Sequence, residues 1–120
     1  MTLNKRIFVT GSSGFIGFHL CKLLLNQGFR VHGYDGMTDY YDVTLKEKRL
    51  SILNTQSNFS FTEGMLEDSD LVNSEFQKFK ADIVVHLAAQ AGVRYSLENP
   101  RAYIDSNIIG TFNIMEASRL

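Results

Sequence analysis

A chain of 120 residues and 13.6 kDa holds one small domain or a part of a larger one. Apolar residues make up 44% and charged residues 21%, the balance of a folded globular domain rather than a disordered chain. Twelve Lys and Arg scattered among 13 Asp and Glu leave a formal charge of −1, without the basic face that nucleic-acid binding needs, and no apolar run approaches the ~18 residues of a membrane span.

Met1 to Arg6 leads straight into a strand-like run, so no secretory leader is expected, and a cytoplasmic protein is. Lys5–Thr10 is a short β-rich run that ends abruptly in glycine and serine. Phe15–Gln27 predicts a helix, with Phe15, Ile16, Leu20, Leu23 and Leu24 as its apolar stripe and Gly28 as its stop. Cys21 lies within it; one thiol neither pairs inside the chain nor makes a metal site, and it reads as an inert core residue. Phe29–Tyr34 predicts a second strand, closed by the turn pair Asp35-Gly36. Two strands this close, joined by a helix of about three turns, form a right-handed βαβ unit.

Met37–Val43 reads as a loop and Leu45–Leu53 as a helix whose Lys46–Arg49 run is a solvated face. Phe59–Phe61 alternates as a third strand, and Asp68–Phe79 suits a helix that buries Leu71, Val72, Phe76 and Phe79. Asp82–Ala88 is a continuously apolar strand, as when helices cover both faces of a sheet. After a further loop, Asn99 and Pro100 fit the cap and first position of a last helix running to about Ser118, with Ile108, Phe112 and Met115 on one face. This alternation predicts an α/β fold, a doubly wound parallel sheet of about four strands in the order 3-2-1-4, with a crevice between strands 1 and 4. Residues 1–120 then form one Rossmann-type unit. Of the histidines, His86 reads as a structural residue in a buried strand, and His19 and His32 as surface or packing residues.

The first strand-to-helix turn is Thr10-Gly11-Ser12-Ser13-Gly14-Phe15-Ile16-Gly17. Gly11 permits a tight turn, Gly14 lets the backbone approach a pyrophosphate, and Gly17 lets the helix lie close on the strand. The helix N-terminus then offers free amides to the phosphates. Three glycines in a turn can also be mere punctuation. Asp35, however, ends the second strand 18 residues after Gly17, near the spacing of about 20 at which an acid receives the adenosine ribose hydroxyls. A carboxylate there repels a 2′-phosphate, and no Arg or Lys occupies positions 36–38, so NAD is favoured over NADP. The plainer alternative makes Asp35 a turn residue beside Gly36. Tyr40 and Tyr41 either touch the adenosine or anchor the loop.

Four segments resemble the extended short-chain dehydrogenase/reductase family and, within it, the nucleotide-sugar epimerases: Thr10–Gly17, Val85–Ala89, Asn99-Pro100 and Asn107–Asn113. Asp39–Asp42 with Leu45-Lys46, and Gln90–Ser96, are most similar to the UDP-glucuronate 4-epimerase branch. The resemblance implies NAD as cofactor, bound by Gly11, Ser13, Gly14, Phe15, Ile16, Gly17 and Asp35. It places Leu87, Ala88 and Ala89 beside the cofactor where strand 4 ends. It sets Gln90 and Arg94 at the nicotinamide and at the pyrophosphate or sugar, and gives Asn107 a supporting part in a proton relay, against the alternative of helix packing. Asn107 and Gly110 are poor mid-helix residues, at roughly 0.5–1 kcal/mol each, so a compensating contact is expected. The family's adenine-binding Asp is replaced: Glu63-Gly64-Met65-Leu66 puts Met65 at that position, leaving adenine to the Leu66 backbone and apolar contacts, at a cost on the order of 1 kcal/mol.

In intact relatives NAD+ takes hydride from the sugar C4 while a Tyr-x-x-x-Lys tyrosine takes the hydroxyl proton, and the 4-keto sugar turns over before hydride returns. No tyrosine here is followed four residues later by lysine. The resemblance therefore implies the N-terminal cofactor half of a longer protein, binding NAD without turnover, with a UDP-sugar held by the remainder and a homodimer as the parent. A nucleotide-sugar 4,6-dehydratase and a non-catalytic interaction module are the alternatives. An apolar strand-4 edge predicts self-association.

Overall fold

The computed structural model describes residues 5–38, 42–91 and 93–119. Four short strands, β1 (Arg6–Thr10), β2 (Arg30–Asp35), β3 (Phe59–Glu63) and β4 (Ile83–His86), form a parallel sheet in the order β3-β2-β1-β4. Phe8 lies opposite His32 and Val84, and Val9 opposite Gly33 and Val85. The crossovers are α1 (Phe15–Asn26), α2 (Val43–Leu53) and α3 (Ser69–Phe79). Because the strand order reverses at β1, a crevice opens at the carboxyl ends of β1 and β4, as the alternation of elements predicts.

Strand residues alternate between faces, so β1 feeds two cores. Ile7 and Val9 pack with Phe18, Cys21 and Leu25 of α1, Val31 and Leu53 on one side. Phe8 packs with Tyr34, Leu66, Val72, Phe79, Ile114 and Ala117 on the other. Cys21 has no exposed surface, and burial pushes its thiol up to about 12.

The buried face of α1 differs from the expected stripe. Gly17, Phe18, Cys21 and Leu25 face the sheet, whereas Phe15 and Ile16 are 67% and 68% exposed and Leu23 is exposed as well. The helix is apolar nearly all round, so periodicity alone does not choose a face; the close approach at Gly17 does. Helix α2 begins two residues before Leu45 because Asp42 caps it, its Oδ1 accepting the Thr44 N–H at 2.9 Å. Helix α3 is capped by Asp68, which accepts the Leu71 N–H, and buries Val72 and Phe79, with Leu71 and Phe76 packed beside them.

Strand β4 is shorter than the apolar run Asp82–Ala88 and only partly covered, since it lies at the sheet edge with Ile83 exposed. The expected loop after it contains a further helix, α4 (Val93–Glu98). The last helix is not one uniform rod. It runs as α5 (Pro100–Tyr103), capped by Asn99 with Pro100 in its first turn, then a π-helical stretch Ile104–Ile109, then α6 (Gly110–Arg119). The Gly110 N–H reaches the Asp105 carbonyl, the five-residue step of a π-turn. Ile108, Phe112 and Met115 do share a face, and it is the exposed one; Gly110, Asn113, Ile114 and Ala117 face the sheet.

Candidate functional site

The end of β1 is tied to the end of β4 through one hydroxyl. Thr10 Oγ1 accepts the N–H groups of Leu87 (3.0 Å) and Ala88 (3.1 Å). Its own hydrogen then goes to His86 Nδ1 at 2.7 Å, and His86 Nε2–H donates to Thr111 Oγ1 at 3.0 Å. Burial lowers the His86 pKa, which suits the neutral ring this network requires. His86 is thus a satisfied structural histidine that joins β1, β4 and the last helix.

The glycine turn follows. Gly11 has φ +74°, and a Cβ on it would lie 2.9 Å from the Ala88 nitrogen, so both conformation and space demand glycine. A Cβ on Gly17 would lie 2.0 Å from the Gly11 carbonyl oxygen, so only glycine lets α1 close onto the turn. The Ser12 and Ser13 side chains are fully buried, and neither Oγ has a hydrogen-bond partner. The Asp35 carboxylate, also buried, faces this turn: Oδ2 accepts the Ser13 N–H at 3.0 Å and Oδ1 the Met37 N–H at 2.7 Å.

Above the turn lies a cavity of about 520 Å³, within the roughly 300–1,000 Å³ of small-molecule and cofactor sites. Gly11, Gly14 and Phe15 form its floor, Asp35 and Gly36 its wall from β2, and Gly64, Met65 and Leu66 its wall from β3. Leu87, Ala88, Ala89 and Gln90 line it after β4. These residues fit a dinucleotide: bare main chain at the floor, a fixed carboxylate at one side, and small side chains at Ala88 and Ala89. At the β3 end the Met65 thioether lies where a Cβ on Gly36 would have to go, 2.5 Å from the sulfur, so that wall is apolar. The Leu66 carbonyl is already taken by the Asn113 side-chain amide at 2.9 Å, and the Leu66 side chain is core.

Several residues singled out by sequence lie off the cavity. Ser13 and Gly17 are buried beneath it, and Ile16 faces outward. Arg94 is exposed on α4 and is not part of the lining. Asn107 clamps a peptide instead of lining the space: its Oδ1 accepts the Gln90 N–H at 2.8 Å and its Nδ2 donates to the Gln90 carbonyl at 3.1 Å. That pair compensates an asparagine inside a helix and fixes the backbone of Gln90. Tyr40 and Tyr41 lie outside the described residues. Among the described residues no group of three or more His, Cys, Asp or Glu could hold a metal ion, and no helix is long and apolar enough to cross a membrane.

A family model described as GDP-mannose 4,6 dehydratase matches residues 8–120. The chain belongs to that family. Among family relatives, a "Probable UDP-glucuronate 4-epimerase" of Rhizobium meliloti (strain 1021) is 49% identical over 114 residues, 95% of this chain and 33% of the relative. "Protein CapI" of Staphylococcus aureus is 53% identical over 114 residues, 95% of this chain and 34% of the relative. The crystal structure of UDP-glucuronic acid 4-epimerase from Bacillus cereus, in complex with UDP-glucuronic acid and NAD, is 36% identical with a TM-score of 0.86, covering 95% of this chain and 36% of that one. The chain spans about a third of the length of the curated relatives it matches.

Sequence reasoning missed the cavity wall that this member of the family builds from α2. Asp42, Leu45, Lys46 and Arg49 share one helical face and all line the cavity. Lys46 Nζ lies 3.8 Å from Asp35 Oδ1, and Arg49 Nη1 donates to the Ser13 carbonyl at 3.2 Å with its guanidinium 5.9 Å above the Phe15 ring. The i, i+3, i+4, i+7 spacing was the available signal, hidden because Glu47 and Lys48 between them make the run read as solvated. Tyr34, Thr38 and Ser106 complete the lining.

Proposed function

We propose that this chain is the NAD-binding N-terminal portion of a nucleotide-sugar 4-epimerase acting on a UDP-hexuronate or UDP-hexose. The observation that carries the reading is the buried Asp35 carboxylate, held by the Ser13 and Met37 amides directly beside a glycine turn at the carboxyl end of a parallel sheet. A carboxylate fixed there keeps lone pairs for two ribose hydroxyls, while the Gly11–Gly14 main chain and the start of α1 meet the diphosphate. Leu87, Ala88 and Ala89 leave room for the nicotinamide end, and Asn107 holds the Gln90 backbone there. NAD supplies the acceptance and return of hydride.

The epimerase reading is supported by the relatives' printed activities and by the B. cereus enzyme. The 4,6-dehydratase alternative is favoured by the description of the family model. With no Tyr-x-x-x-Lys in its sequence, the chain alone binds cofactor without turnover. In the parent, the sugar and its UDP are held by residues beyond these, Arg94 faces the substrate side, and the protein is a cytoplasmic homodimer.

Titration calorimetry with NAD+ and NADP+ tests the cofactor assignment. Binding of NAD+ in preference to NADP+ is expected, with stabilisation of about 2.7 kcal/mol once NAD+ reaches a hundredfold excess over Kd. Absence of heat and of any melting shift with either dinucleotide at millimolar levels would refute it.

A further inference from the structure

The α2 wall gives the ribose end of the cavity a property that the Asp35 argument alone does not contain. Four charged side chains line the cavity among the described residues: Asp35, Asp42, Lys46 and Arg49. Asp42 is turned to its own helix as the cap of α2. The Lys46 ammonium, largely buried, lies 3.8 Å from Asp35 Oδ1, so its charge is committed to that carboxylate. Arg49 is held by the Ser13 carbonyl and the Phe15 ring. Both cations stand on the side of the cavity where Asp35 would receive a ribose.

A phosphate on the ribose 2′-oxygen would occupy the volume of the Asp35 carboxylate and meet its charge. Without that carboxylate the same phosphate would meet an ammonium within a phosphate's span and a guanidinium one helical turn further along. We propose that Lys46, seconded by Arg49, is a latent 2′-phosphate contact, held silent by Asp35, so that Lys46 and not the glycine turn sets how readily the site accepts a phosphorylated dinucleotide. The inference rests on the dinucleotide reading above and concerns the choice between its two forms.

Calorimetric titration of the full chain with NAD+ and with NADP+ tests it in four forms: unaltered, Lys46→Gln, Asp35→Ser and Asp35→Ser/Lys46→Gln. The unaltered chain binds NAD+ more tightly than NADP+. Asp35→Ser gains at least tenfold in NADP+ affinity, and most of that gain disappears in the double variant, with a shallower dependence of NADP+ binding on salt. Removing Asp35 also frees the Ser13 and Met37 amides. If circular dichroism shows that the serine variant is unfolded, Asp35→Asn, which keeps an acceptor oxygen without the charge, replaces it in both forms. A folded Asp35 variant that binds NAD+ but gains nothing with NADP+ overturns the proposal. So does a gain that survives Lys46→Gln intact. Failure of the unaltered chain to bind either dinucleotide removes the cofactor reading itself, and this inference with it.

Discussion

The Thr10 hydroxyl serves three partners at once, and the proton it donates fixes His86 as a neutral ring with hydrogen on Nε2. His32, buried on β2, is bracketed by the Ser60 and Thr62 hydroxyls, and burial lowers its pKa despite Glu75 at 3.5 Å. Both folded-state values lie below the usual 6.5, so the unfolded chain takes up protons that the folded chain refuses. Their contribution to stability is complete above about pH 6.5 and is lost as pH falls below it toward the folded values. Urea midpoints should therefore be lower at about pH 5.5 than at about pH 7.5, and His32→Gln/His86→Gln should flatten the difference. A midpoint that rises on acidification contradicts this account. From sequence, the structural part of His86 was readable because the residue sits in an apolar strand. The network was not, because its partners Thr10 and Thr111 are 76 and 25 residues away.

Among the elements, α6 shows how a locally poor residue is kept by a distant contact. A Cβ on Gly110 would lie 2.5 Å from Leu66 Cβ, an atom fixed to its own backbone, while Asn113 one turn on bonds the Leu66 carbonyl. Gly110→Ala gains roughly 1 kcal/mol of helix propensity but overpacks this contact by about 1–3 kcal/mol. Net destabilisation is expected in urea unfolding; a more stable variant would show that α6 is not seated on the β3–α3 turn. The need for compensation at Gly110 and Asn107 was legible as a conflict with helix propensity, but its form was not. The clamp on Gln90 joins Asn107 to a peptide 17 residues away, just past the end of β4, a contact that local propensity does not reveal. The misjudged face of α1 has a similar cause: in a helix with apolar residues on every side, the neighbour at Gly11 chooses which face is buried.

For the whole molecule, strand order followed from the sequence because each parallel pair needs a helical crossover and right-handed crossovers leave few arrangements. The glycine turn and Asp35 were legible for the same reason, as neighbours across one βαβ unit. Lys46 and Arg49 were not, since their place depends on how α2 leans over the crevice. At the other side of the sheet, β4 is the edge strand among the described residues, paired with β1, and Ile83 is 46% exposed. Self-association of the 120-residue chain through this edge is the expected behaviour, seen by light scattering as species heavier than a monomer at high concentration. Ile83→Lys should shift it toward monomer, and a clean monomer for the unaltered chain would contradict it.

Cys21 adds a practical consequence. It is the chain's one cysteine, it has no surface of its own, and its thiolate is suppressed at neutral pH. An alkylating reagent therefore finds a single target, and finds it only when α1 lifts from the sheet. The floor of the crevice carries its own clock: each labelled molecule marks one opening of the helix into which the glycine turn leads.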